Sequence, residues 1–89
     1  MQSKRITIIN RLGLHARAAA RFVTVASGFE SDIHLIRDGQ RVNGKSIMGV
    51  MMLAASRGTQ LELVASGSDE GEAVATLETL VDNRFGEAE

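Results

Sequence analysis

Cysteine, proline, tryptophan and tyrosine are all missing from the 89 residues, and phenylalanine occurs only three times. Without cysteine there is neither a disulfide framework nor a thiolate metal site, and two histidines far apart in sequence do not make a metal cluster. With so few aromatic rings the core has to be built from isoleucine, leucine, valine, alanine and methionine. No apolar run reaches the roughly 18 residues that cross a membrane. The N-terminus, Met1-Gln2-Ser3-Lys4-Arg5-Ile6, lacks the long apolar segment and small-residue cleavage site of a secretion signal. A cytoplasmic protein without membrane insertion is therefore expected. No sign of charge dominates, with 10 basic and 11 acidic residues, and no aromatic residues interleave a basic run, which argues against nucleic acid. The length suits one domain over residues 1–89 with a single core, which excludes a large enzyme. No cofactor and no metal are expected.

What is present alternates between two periods. Arg5 to Asn10 is rich in β-branched residues with Ile6 and Ile8 on one face, a strand signal that Gly13 breaks. From Ala16 the period changes, and Ala19, Phe22, Val23 and Ala26 recur at helical spacing up to Ser27-Gly28. Asp32 to Arg37 reads as a second strand. Asp38-Gly39 is a two-residue hairpin signal, because both central positions of a type I′ turn need positive φ. Gln40 to Asn43 returns as a third strand. Ser46 is placed to cap a second helix from Ile47 to about Ser56, with Ile47, Val50, Met51 and Ala54 on one face and Gly58 closing it.

Gln60 to Ala65 alternates again, Leu61 and Leu63 inward and Glu62 outward. Asp69 followed by Glu72 resembles a capping box, and Val74, Leu77, Val81 and Phe85 form the stripe of a last helix. The acidic end Gly86-Glu87-Ala88-Glu89 is expected to fray. The order βαββαβα predicts an α+β open-faced sandwich, helices covering one face of an antiparallel sheet.

One motif has to be set aside. Gly39-Gln40-Arg41-Val42-Asn43-Gly44-Lys45-Ser46 fits G-x-x-x-x-G-K-[ST] at every fixed position. A nucleotide-binding loop of that kind follows a buried parallel strand and opens a long helix. Here Gly39 belongs to a hairpin turn and Gln40 to Asn43 to a strand, and no Walker-B strand accompanies them.

His15 stands at the start of the first helix, in Leu12-Gly13-Leu14-His15-Ala16-Arg17. The first N–H groups of a helix lack intrahelical partners, and the peptide dipole adds about half a positive charge there, so the position suits an anion such as phosphate. Imidazole can carry a phosphoryl group on nitrogen. A helix cap is the plainer alternative. Arg17 and Arg21 share a helix face and Arg11 precedes the loop, and guanidinium groups pair with phosphate oxygens in a two-pronged geometry. A solvated basic face is the plainer alternative for them. Ser46 is a natural cap, and a hydroxyl at a helix N-terminus is also a good place for a regulatory phosphate.

Gly13-Leu14-His15-Ala16-Arg17 together with Asn43-Gly44-Lys45-Ser46-Ile47-Met48-Gly49-Val50-Met51 resembles the HPr family, the histidine-containing phosphocarriers of the bacterial phosphotransferase system. The resemblance spans essentially the whole chain and implies a four-stranded antiparallel sheet with three helices on one face. It implies that enzyme I, phosphorylated from phosphoenolpyruvate, passes a phosphoryl group to Nδ1 of His15, and that acceptor domains of the A type take it onward. On this resemblance Arg17 stabilises the group in transfer and Ser46 is modified by HPr kinase/phosphorylase. The chain is then a carrier and not an enzyme, and a monomer is expected.

One departure stands out, since the family usually has proline after the arginine and this chain has Ala18. Ala16 and Ala20 with Ile47, Met48 and Met51 are the expected partner-binding surface, methionine being suited to a face that meets several partners. Met48 is expected to be exposed and Ile47 to lie at the rim. The competing expectation is a purely regulatory binding module controlled through Ser46.

Overall fold

The computed structural model describes residues 1–89. In chain order the elements are β1 (Gln2–Thr7), α1 (Ala16–Ala26), β2 (Asp32–Arg37), β3 (Gln40–Asn43), α2 (Ile47–Met52), β4 (Gln60–Ser66) and α3 (Glu70–Asp82), followed by a 3-10 turn, Arg84–Gly86. The strands form one antiparallel sheet in the order β1-β4-β2-β3, so β4, last in sequence, sits inside between β1 and β2. Its register pairs Leu61 with Ile6 of β1 and Leu63 with Leu35 of β2. Side chains alternate across a strand, so Ile6, Leu61, Leu63, Leu35, Ile33 and Ala65 are buried while Arg5 and Glu62, also a pair, are exposed.

The helices complete the core from one side. α1 contributes Ala18, Ala19, Phe22 and Ala26, and α3 contributes Ala73, Val74, Leu77 and Val81. Phe22 and Phe85 are the largest fully buried side chains. The result is the four-stranded, three-helix open-faced α+β sandwich that the alternation of periods predicts. The hairpin between β2 and β3 forms as expected, with Asp38 at φ 50° and Gly39 at φ 83°.

Four local expectations change. β1 runs from Gln2 to Thr7 rather than from Arg5 to Asn10. Ile8 still bonds across to Thr59 and Gly58, but Asn10 turns inward and is fully buried. α2 ends at Met52, not near Ser56, because Ala54 adopts φ 50° and stops the helix; Gly58 belongs to a later turn whose N–H donates to the Ile8 carbonyl at 2.7 Å. The buried side of that segment is Val50 and Leu53, while Ile47, Met51 and Ala54 face out.

Asp69 does not form a capping box. Its carboxylate accepts from the Glu30 and Ser31 N–H groups at 2.9 and 3.0 Å and from the Ser31 hydroxyl at 2.5 Å. Those three donors from the loop before β2 take the oxygens that would have capped α3. The C-terminal tail, finally, does not fray. Phe85 is buried just beyond α3 at φ 55°, a left-handed conformation costing about 1–2 kcal/mol for a non-glycine residue, which burial of the ring at about 1.5–3 kcal/mol offsets. From that pin the last residues fold back over the segment joining β1 to α1.

Candidate functional site

The segment from Asn10 to His15 is a short bridge between a strand end and a helix start, and its shape follows from three hydrogen bonds. Gly13 N–H donates to the Asn10 carbonyl at 3.2 Å and Leu14 N–H to the Ala55 carbonyl at 2.8 Å, while the Asn10 amide donates to the Gly13 carbonyl at 2.8 Å. Gly13 sits at φ 67°, and a Cβ there would lie 2.4 Å from the Ala55 carbonyl oxygen. Leu14 is buried and anchors the bridge, which leaves His15 half-buried as the residue preceding α1.

His15 occupies the N-cap position with an extended backbone, φ −71° and ψ 176°, and its carbonyl accepts the first helical bond from Ala19 at 2.9 Å. Its side chain makes no capping bond. The imidazole turns instead to the tail, where Nε2 lies 2.5 Å from Oε2 of Glu87. The other oxygen of Glu87 accepts from the Asn10 amide at 3.0 Å. That amide bond, and then the His15 ring, hold the Glu87 carboxyl below the usual carboxylate range, with Arg17 adding to the effect. Farther out, Arg11 pairs with the Glu89 side chain at 2.8 Å, and its N–H donates to the Glu89 carbonyl.

These groups line an open cleft of about 720 Å³ whose walls include Arg11, His15, Ala16, Arg17, Glu87 and Glu89. Arg17, in the first turn of α1, is exposed at its edge. Arg21 is elsewhere, against Gly86. Ala18 is buried in the core face of α1, so the helix forms without the family's usual proline, and its N–H lies in the first turn, where no intrahelical acceptor is needed.

The second motif is separate from the cleft. Ser46 caps α2 by accepting from Gly49 N–H at 3.1 Å. Lys45 donates to the Phe29 carbonyl at 2.7 Å, and β3 is antiparallel to β2, so neither the lysine nor the strand is arranged as a nucleotide-binding loop needs. On α2, Met48 is 73% exposed and Ile47 45%, with Met51 and Met52 also outward; Leu12 is exposed too, whereas Ala20 of α1 is half-buried. α1 and α2 pack on one another.

Sequence reasoning did not find Glu87, Asn10 or Glu89. Glu87 is 72 positions from His15, and only its place just beyond the buried Phe85 hints that the chain end is held.

The comparison with known families decides what this geometry belongs to. A family model described as the PTS HPr component phosphorylation site matches residues 2–83. The chain belongs to the HPr family. HPr of Neisseria meningitidis, named a phosphocarrier protein, is 52% identical over 89 residues, all of both chains. The crystal structure of HPr from Thermoanaerobacter tengcongensis superposes with a TM-score of 0.96 at 47% identity, covering all of both chains. A structure of that organism's HPr described as a dimer aligns at a TM-score of 0.79 and 48% identity, covering 98% of this chain and all of the other. As a member of this family the protein is a phosphocarrier of the phosphotransferase system, a carrier rather than a catalyst. No helix is long and apolar enough to cross a membrane.

Proposed function

We propose that this phosphocarrier accepts a phosphoryl group from enzyme I on Nδ1 of His15 and delivers it to acceptor domains of the A type in the cytoplasm. The observation that carries this reading is the engagement of Nε2 by Glu87, which leaves Nδ1 as the ring nitrogen free to meet phosphorus. The bridge to α1 holds the ring at the mouth of the cleft, where the first-turn N–H groups and the helix dipole favour a dianion. Arg17 lines the same cleft and supplies a guanidinium for the phosphoryl oxygens. Catalytic power resides in the partners, and His15 is in turn their substrate and their donor.

Docking is assigned to Ala16 and Ala20 of α1 with Ile47, Met48 and Met51 of α2, an apolar patch with adaptable methionines beside the cleft's helix. Ser46 is the regulatory position, modified by HPr kinase/phosphorylase. Its phosphate would sit at the start of α2, next to the exposed Ile47 and Met48, and would set a double negative charge in the docking patch that repels an acidic partner. The carrier acts as a monomer.

Incubation with phosphoenolpyruvate and enzyme I should add one acid-labile phosphate, seen by intact mass, and His15→Ala should abolish it. Equal labelling of the substituted protein would sink the assignment of His15. Labelling without onward transfer to any purified A-type domain would favour the purely regulatory module.

A further inference from the structure

We propose that Glu87 is a positioning residue for phosphoryl transfer: its carboxylate fixes the His15 ring in the tautomer that carries hydrogen on Nε2 and presents the lone pair of Nδ1 to the phosphoryl donor. The inference rests on the carrier reading above and deepens it. An ionised carboxylate can only accept hydrogen bonds. Oε2 of Glu87 lies 2.5 Å from Nε2, so that nitrogen must be the donor, and in a neutral ring the other nitrogen then holds the lone pair.

The carboxylate is itself prevented from wandering. Oε1 is held at 3.0 Å by the amide of Asn10, which is fully buried and also bonded to the Gly13 carbonyl. Two residues upstream the chain is pinned by Phe85, and two residues downstream Glu89 is paired with Arg11. The ring's orientation is thereby tied to the same asparagine that shapes the bridge before α1.

The transfer step balances without moving a proton. A bond forms between Nδ1 and phosphorus while the donor's bond to phosphorus breaks, its electron pair remaining on the donor. The ring becomes a cationic N-phosphoimidazole that keeps its hydrogen on Nε2, and the Glu87 carboxylate faces that new positive charge. Delivery to an acceptor is the reverse process. The contact is on the ring nitrogen opposite the incoming phosphate, so the carboxylate supports the ring without occupying the transfer position.

The test uses the full chain with Glu87→Ala and Glu87→Gln. The amide of Glu87→Gln keeps one of the two carboxylate oxygens, which can accept from Nε2 only by giving up the Asn10 amide, whereas alanine keeps nothing. Two-bond hydrogen–nitrogen NMR spectra of the His15 ring should show the Nε2–H tautomer dominant in the unaltered protein, a mixture in E87A and an intermediate, partial recovery in E87Q. The rate of phosphoryl uptake from enzyme I should fall about tenfold in E87A, the lower end of what loss of a ring-orienting partner costs, with E87Q recovering part of it.

A mixed tautomer in the unaltered protein would overturn the proposal, as would an E87A ring and rate indistinguishable from it. A faster E87A would also overturn it, by making the tail an obstruction. Failure of the unaltered protein to take phosphate at His15 would instead overturn the carrier reading, and the NMR spectra, which need no phosphate, would still decide whether Glu87 sets the tautomer.

Discussion

Gly13 leaves the His15 bridge no room for a side chain. Its φ of 67° is left-handed, and a Cβ would meet the Ala55 carbonyl oxygen at 2.4 Å and Ser56 Cα at 2.8 Å, both backbone atoms that cannot swing aside. Gly13→Ala should therefore destabilise the protein by about 1–3 kcal/mol in urea denaturation. Gly39, at φ 83° with open space around it, is the control: Gly39→Ala should lose only the conformational part, about 1–2 kcal/mol, and less than Gly13→Ala. Equal effects at the two positions would show that the contact with Ala55 carries nothing. The sequence marks Gly13 as a strand breaker, but the reason for it lies in Ala55, a neighbour that only the packed chain supplies. His15 is similar. Its place at the head of a helix was legible from the change of period at Ala16, whereas the choice between capping with its ring and turning it to a carboxylate depended on where the far end of the chain came to rest.

At the scale of elements, the loop before β2 is fastened to the start of α3 by a single carboxylate. Three donors from Glu30 and Ser31 converge on Asp69, and the Ser31 hydroxyl above all, then the Glu30 N–H, lowers its pKa. Glu70 is lowered by the N-terminal ammonium, 2.9 Å away, and by Gly67 N–H, and Glu87 by Asn10 and then His15. In each case the folded form prefers the ionised group more than the unfolded chain does. The stabilisation is therefore complete above the ordinary carboxylate range, about pH 4, and is lost as pH falls through the lower folded values. Urea midpoints should hold steady from pH 7 to 5 and drop below that range, and Asp69→Asn should shrink the drop. An unchanged acid limb in Asp69→Asn would mean that the fastening contributes no ionisation-linked stability.

These fastenings were hidden from the sequence for a common reason. Asp69 and Glu72 have the spacing of a capping box, but spacing says nothing about rival donors on another loop. Strands β2 and β3 and helix α1, whose signals are local, lie at the expected residues; α2 is shorter than its periodicity implies because an alanine at left-handed φ, Ala54, has no signature in sequence.

At the scale of the molecule, the sheet has two edges, β1 and β3. β1 places Lys4 and Arg5 along its edge, and β3 has only four residues, features that discourage pairing with another sheet. Sedimentation equilibrium at micromolar concentration should accordingly return the mass of one chain; the mass of two, as in the relative whose structure is described as a dimer, would overturn the monomer. The βαββαβα order was legible because each turn of the chain is announced locally, by Asp38-Gly39 or by a capping serine. The folded-back tail was not, since it needs Phe85 to find a place in a core assembled from the rest. That pin also sets a clock. With only Gly86 between Phe85 and Glu87, any opening of the contact between carboxylate and ring is the motion of a short tethered tail, on the nanosecond-to-microsecond scale of loops and termini. A partner present at micromolar concentration arrives only about every 0.1–10 s. Each visitor meets a ring and carboxylate that have long since equilibrated, so the tail governs how often His15 is ready and never how long a partner must wait.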